Sequence, residues 1–561
     1  MNGAEKTGGE ILARHLELHG VETAFGVPGE SYLALLDALV DTNIRFVTCR
    51  QEGGAAMMAD AHGKLTGRPG IAMVTRGPGA TNAAAGVHIA FQDSSPMILL
   101  IGQVARDQTD REAFQEVDYR AMYAPLAKWV AQIDSADRIP EYLNRAFHTA
   151  TSGRPGPVVL ALPEDMLRER AEAPGGLERY SPIQAHPGAA AMADLRARLS
   201  AAERPMMIVG GATWNADALD RLRRFAEAWD LPVGASFRCQ DYLDNRHPCY
   251  AGHVGIGIDP ALAARIREAD LLLVAGARLG EMTTGGYSLP APPRPAQMLI
   301  HAHPDANELN RVYDADLAIA TGMEPFAEAL ATLTPPTAPV PWAGRRADAR
   351  AAYEAFIEPV AVPGPLQLPE IVQWLAERLP EDAILCNGAG NYAAWVHRFF
   401  PYRGWRTQLA PTSGSMGYGT PAAVAAKMLH PERTVVAFAG DGCFLMNGQE
   451  LATAAQHGLG IIVIVIDNGM YGTIRMHQER AYPTRVSGTA LRNPDFAALG
   501  AAHGAHGERV ETTEAFAPAF ERAMEAAASG RPALLHLVVD PEALTPTQSL
   551  SQIREASLKA R

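Results

Sequence analysis

The stretch VVAFAGDGCFLMNGQELATAAQHGLGIIVIVIDN, Val435 to Asn468, decides the fold. It opens on an apolar run, Val435 to Ala439, and breaks at Gly440-Asp441-Gly442. A helical spacing follows from Gln449 to His457, and a second apolar run, Ile461 to Ile466, closes it. Two short apolar runs joined by an amphipathic segment are the pattern of a parallel β-α-β unit. Asp441 then falls at the carboxyl end of the first strand, where its carboxylate can point out of the sheet edge, and Gly440 and Gly442 let backbone approach a ligand closely. Twenty-four residues separate Gly442 from Asp467-Asn468, enough for the helix and second strand to return Asn468 to the same edge. One carboxylate, one amide oxygen, a backbone carbonyl and a diphosphate make an oxygen shell suited to Mg²⁺. Asn447 with Glu450 has the form of a capping box, so a helix is expected to start there and aim its free N–H groups at that point. A tight turn with a solvated aspartate would explain a bare G-D-G, but not the helix, apolar strand and Asn that follow it.

The same alternation of strand, glycine and amphipathic helix runs through the 561 residues, which predicts an α/β chain of doubly wound parallel sheets. Proline-rich stretches at 180–191 and 333–369 read as linkers. They divide the chain into domains 1–182, 190–335 and 366–561, the middle one Rossmann-like, with Gly210-Gly211 after a strand at Met206 to Val209. No short-period repeat is visible. Lys and Arg number 49 against 62 Asp and Glu, a formal charge of −13, which disfavours nucleic acid and anionic lipid and directs attention to a small-molecule ligand. No apolar run approaches the length of a membrane span, and the first residues lack a secretory segment. Five scattered cysteines without a C-x-x-C pair indicate neither a disulfide framework nor a thiolate zinc site. A cytoplasmic setting is expected.

The G-D-G to Asn segment resembles the thiamine diphosphate signature of the acetolactate synthase and pyruvate decarboxylase superfamily, and the resemblance extends over the whole chain. It implies Asp441, Asn468 and the backbone carbonyl of Met470 as Mg²⁺ ligands; the first Asn of the family's pair is here Asp467. Gly26-Val27-Pro28-Gly29 and Arg50-Gln51-Glu52-Gly53-Gly54-Ala55-Ala56 look like the pyrimidine-binding domain, whose Glu, here Glu52, is the catalytic acid. A carboxyl group in a poorly solvated cleft can share a proton with the aminopyrimidine ring. Thr412 to Gly419 resembles the segment whose large apolar residue, here Met416, props the cofactor in a bent form. The resemblance further implies cofactor contacts from Gly29, Gly77, Asn82, Gly388, Asn391, Gly414, Gly440, Gly442 and Tyr471.

Within the superfamily the likeness is closest to acetolactate synthases, through Gly77-Pro78-Gly79-Ala80-Thr81-Asn82, Gly102-Gln103-Val104, Ala113-Phe114-Gln115-Glu116 and Lys128. Phe114 and Gln115 are expected over the thiazolium, where an apolar wall favours loss of CO₂. Met282 stands where those enzymes carry an Arg for the second oxo acid, and His477 replaces an acceptor-pocket Trp; an aldehyde or a proton as acceptor follows. The middle domain binds FAD, ADP or nothing across the superfamily. Gly252 to Gly255 and Arg278 are compatible with FAD, whereas His301-Ala302-His303-Pro304 occupies an acidic segment's place. The resemblance implies a homodimer or homotetramer, with sites between chains, acting on a 2-oxo acid by decarboxylation and carboligation. The alternatives are a non-ligating 2-oxo acid or oxalyl-CoA-type decarboxylase, a nucleotide-binding dehydrogenase, and a non-catalytic regulatory subunit.

Overall fold

The apolar runs form strands buried on both faces: Met97–Gln103, Pro157–Pro163 and Leu271–Ala275 are buried throughout, and Ile462–Asp467 up to its last residue. Such continuous burial requires helices on both sides of a parallel sheet. In the computed structural model, which describes residues 5–172, 178–336 and 339–561, three six-stranded sheets are parallel at every pairing, as the sequence predicts. A short antiparallel pair joins Lys6–Thr7 to Arg170–Ala171.

The first sheet runs Arg45–Thr48, Thr23–Gly26, Gly70–Val74, Met97–Gln103, Pro157–Pro163, Trp129–Gln132. The third runs Gln408–Leu409, Ile384–Asn387, Val435–Gly440, Ile462–Asp467, Ala533–Val538, His506–Val510. Their strand orders are identical. In each, the chain reverses direction across the sheet between its first and third strands, and this switch point opens a crevice at the carboxyl edge where ligands bind. Gly26 and Val74 flank the first crevice; Asn387 and Gly440 flank the second. The middle sheet has the dinucleotide-domain order: Tyr250–Val254, Val233–Ser236, Pro205–Val209, Leu271–Ala275, Met298–His303, Leu317–Ala320.

The first and third units share one apolar core, in which Ala55, Ala59 and Ala83 pack with Ala422, Ala426 and Phe438. Helix Glu52–Thr66 lies against both Pro78–Asp93 and Gly419–Leu429. Gly86 permits the first of these contacts, since a Cβ there would sit 2.3 Å from that of Ala56.

Two local expectations fail. Asn447 and Glu450 form no capping box: one helix, Asp441–Asn447, begins at the G-D-G itself, and a second, Glu450–Gln456, follows without a side-chain cap. Glu450 is wholly buried and turns to the first unit instead, accepting hydrogen bonds from the N–H groups of Arg50 (3.0 Å) and Gln51 (2.9 Å) and the Thr453 hydroxyl (2.6 Å). The proline-rich stretch read as a linker contains helix Arg345–Phe356, whose Tyr353 meets Tyr250 edge-on, while nearby Trp342 stacks on Trp229. Tertiary packing overrides proline content here.

Removing the Glu450 carboxylate strands two part-buried N–H donors and the buried Thr453 hydroxyl, so Glu450→Ala should cost about 1–3 kcal/mol, and Glu450→Gln, which keeps an acceptor oxygen, clearly less. Denaturant unfolding checks this; equal stability of all three chains would contradict it.

Candidate active site

The third unit gathers its predicted residues at the switch-point crevice. Gly388 leaves Ile384–Asn387 so closely that a Cβ would lie 2.8 Å from Cys443 Sγ and 3.2 Å from the Ser415 carbonyl. Its N–H donates to the Tyr392 hydroxyl (2.9 Å). Gly442 faces the Tyr471 ring, 2.4 Å from the site of a Cβ. Asn391 accepts from the Thr473 hydroxyl at 2.9 Å, and the Gly417 N–H reaches Cys443 Sγ at 3.2 Å. The loops carrying Gly388 to Asn391, Gly414 to Met416, Gly440 to Gly442 and Asn468 to Tyr471 are thus one surface.

At its centre Asp441 is buried, and among the described residues no Lys, Arg or His ion-pairs with it. Asp441 Oδ1 accepts from the Gly442 N–H (2.8 Å), and Oδ2 from Asn493 Nδ2 (2.8 Å). Asn493 Nδ2 also donates to Asp467 Oδ1 (2.7 Å), so one amide bridges two carboxylates. Burial, with Asp467 nearby, pushes the Asp441 carboxyl up to about 6. Burial acts the same way on Asp467, but His536, 2.9 Å from its Oδ2, and the Gly469 N–H draw it below the usual carboxylate range. A buried carboxylate without a protein cation, beside the Asn468 amide and the Met470 backbone, suits a hard divalent ion completed by ligand oxygens. Among the described residues no cluster of three or more His, Cys, Asp or Glu offers another cage.

The first unit assembles a second set at its own crevice. Glu52 is half-buried at the start of helix Glu52–Thr66 and accepts from Asn82 Nδ2 at 2.9 Å. Gly77 (φ +61°) receives Gln115, whose Cβ lies 2.7 Å from where its own would be, and its N–H donates to the Tyr119 hydroxyl (2.8 Å). Arg76 holds the Phe114 carbonyl (3.1 Å) and Glu164 (3.1 Å). Gly29 packs on Thr75. Phe114 itself is 73% exposed. No hydrogen bond or ion pair among the described residues joins this set to the Asp441 set. His477 stands apart from both, exposed on helix Gly472–Ala481.

Across residues 6–122, 192–330 and 388–537 the chain matches the N-terminal TPP binding, central and C-terminal TPP binding domains of the thiamine pyrophosphate enzymes. It is 32% identical to the acetolactate synthase large subunit of Corynebacterium glutamicum, over 96% of this chain and 87% of that one. The chain belongs to the acetolactate synthase-like thiamine pyrophosphate enzymes. The Escherichia coli K12 acetolactate synthase isozyme 2 large subunit is 31% identical over 96% of both chains. A probable acetolactate synthase large subunit of Methanocaldococcus jannaschii is 31% identical over 96% of this chain and 93% of its own.

A thiamine pyrophosphate enzyme thus carries here a bridge of Asn493, Asp467 and His536 behind its G-D-G. The sequence reading missed Asn493, which lies in no motif, and His536, although a polar residue inside the apolar strand Ala533–Val538 is a detectable signal. A cavity of about 1050 Å³ extends from the middle sheet's crevice to the loops at Asn391 and Gly414. Arg238 is half-buried in its wall, with Nε buried and unpartnered and its other end bonded to the Pro411 carbonyl, while Arg278 is already paired with Glu308 (3.0 Å). His303 also lines it, and burial pulls this imidazole down to about 4, so it is neutral where the flavin reading calls for an acid.

Because the folded-state pKa of Asp441 lies above the usual 3.8, its charge penalises the metal-free fold above about pH 6 and the penalty is relieved as pH falls from there toward 4. In metal-free buffer Asp441→Asn should therefore melt higher than the parent at pH 7.5, the gap closing as pH drops through about 6. Calorimetric scans across that range check it; a gap independent of pH would contradict it.

Proposed function

We propose that the chain decarboxylates a 2-oxo acid and ligates the product to an acceptor, using thiamine diphosphate and Mg²⁺ at a site formed by two copies. Support comes from one observation above all. Glu52 with Asn82, and Asp441 with Asn493, each supply half of what such a site needs, and among the described residues no hydrogen bond passes between the two pairs within one chain, although the units that carry them are bonded elsewhere.

When bound, thiamine diphosphate supplies a nucleophilic carbon and a sink for the electrons released with CO₂. Asp441, Asn468 and the Met470 carbonyl would hold Mg²⁺ against its diphosphate, with Gly388, Gly440 and Gly442 giving backbone room and Tyr471 walling the edge. Met416 would support the cofactor's bend from below. Glu52, oriented by Asn82, would hold the proton exchanged with the pyrimidine ring. Gln115, pinned on Gly77 in a left-handed conformation (φ +65°), and the exposed Phe114 would roof the reacting centre and exclude water. Met282 lacks the charge for a second carboxylate, which favours an aldehyde or a proton as acceptor; His477 gains no support from its exposed position. The middle cavity has the size and, through Arg238, the charge for an anionic nucleotide such as FAD or ADP. A flavin absorbance band in purified protein decides that question.

Glu52→Gln should retain Mg²⁺-dependent cofactor binding in calorimetry yet lose about 10²–10⁴-fold in turnover, since only proton exchange is removed. Turnover equal to the parent's would refute the assignment of the acid. Mass spectrometry of products from a panel of 2-oxo acids, with and without aldehydes, should reveal a new C–C bond; release of CO₂ and free aldehyde alone would establish the non-ligating decarboxylase instead.

A further inference from the structure

The loop that carries Met416 is tied at both flanks to one buried charge cluster supplied by the first unit. Asp60 and Lys64 lie one turn apart on helix Glu52–Thr66, and Asp93 is the last residue of helix Pro78–Asp93. The Lys64 ammonium pairs with Asp93 and, at 3.2 Å, with Asp60, and both carboxylates are wholly buried. The cluster's other bonds run to the segment leading into and out of the Met416 loop. Lys64 donates to the Ala410 carbonyl (3.2 Å), and Asp93 Oδ1 accepts from the Thr412 hydroxyl (2.5 Å) and the Ser413 N–H (3.2 Å). Asp60 Oδ2 accepts from the Tyr418 hydroxyl (2.6 Å), and the Tyr418 ring lies beneath the ammonium at 4.7 Å. Between these anchors Gly414 (φ +69°) and Gly417 (φ +78°) turn the backbone through the left-handed region. Apolar residues of similar volume would hold the two units together at least as well as two buried carboxylates and a largely buried ammonium. Directed bonds give what apolar packing lacks, a fixed position for the segment they grip.

We propose that Asp60, Lys64 and Asp93 are positioning residues: a buried charge clamp that sets the loop from Thr412 to Tyr418, and Met416 with it, at the height against the diphosphate loops that cofactor activation needs. The proposal rests on the thiamine diphosphate reading above. The clamp shares its helix with Glu52, eight residues or about 12 Å away. One rigid element thereby places the acid and also sets its own chain's cofactor loop.

Thr412→Val removes one clamp bond and leaves every charge in place, Thr412→Ser restores the hydroxyl, and Asp93→Asn keeps an acceptor oxygen but unpairs Lys64. In the full chain loaded with Mg²⁺ and thiamine diphosphate, NMR-monitored exchange of the thiazolium C2 proton should slow about tenfold or more in Thr412→Val. Cofactor affinity and melting temperature should stay near the parent's, and Thr412→Ser should recover the parent rate. The Thr412→Val, Asp93→Asn double variant should be slowed by less than the product of the two single effects, because both variants loosen the same cluster around Asp93. Parental exchange in Thr412→Val, or slowing that merely follows lost affinity or stability and adds in the double variant, overturns the clamp. A parent chain that fails to bind thiamine diphosphate overturns the underlying reading instead, and is distinguished by the absence of any cofactor uptake.

Discussion

The shared apolar core between the first and third units is the constraint on which the rest depends. Helix Glu52–Thr66 packs its alanine-rich surface against Gly419–Leu429, and Glu450 locks the start of that helix by its backbone N–H groups. With that surface buried, Glu52 and Asn82 of one chain make no hydrogen bond or ion pair to Asp441 or Asn493 among the described residues. Each chain is left with an acid-bearing surface around Glu52 and a carboxylate-lined crevice around Asp441. Exposed Phe114 on the first surface, and Leu445 and Met446 beside the second, are apolar groups suited to burial by another chain.

The two surfaces differ in electrostatics as their proposed roles require. Around Asp441 the protein concentrates negative charge, and no cation among the described residues pairs with it; the Asn493 amide and His536 hold Asp441 and Asp467 side by side without neutralising Asp441. Such an arrangement is costly in the metal-free chain, a cost that the proposed divalent ion would relieve. Around Glu52 a single carboxylate takes an amide donor from Asn82, which orients it for the role proposed. Arg76 holds the Phe114 carbonyl, and Tyr119 holds Gly77, on which Gln115 packs.

Much of the fold was legible in the sequence because parallel strands buried on both faces leave continuous apolar runs, such as Ile461 to Ile466, and glycines mark their carboxyl ends. The strand order was not legible, and the identity of order between the first and third sheets left no repeat in the chain, since topology is fixed by packing and many sequences satisfy it. In the site, Asp441 and the glycines around it could be located because backbone approach and metal binding restrict residue type. Asn493 and the clamp at Asp60, Lys64 and Asp93 were invisible: they act through distant partners, and nothing local distinguishes them from surface residues. Glu450 was misread for the same reason, a local capping pattern having been outcompeted by two N–H donors four hundred residues away.

The central claim, that each site takes Glu52 from one chain and Asp441 from another, is tested most directly by complementation between two inactive chains. Glu52→Gln and Asp441→Asn chains, unfolded together and refolded as a mixture, should regain about a quarter of parental activity, since half the dimers are mixed and each holds one intact site. Activity no greater than that of either variant alone, in mixtures shown to contain hybrid dimers, would place both residues in the site of a single chain and contradict the account.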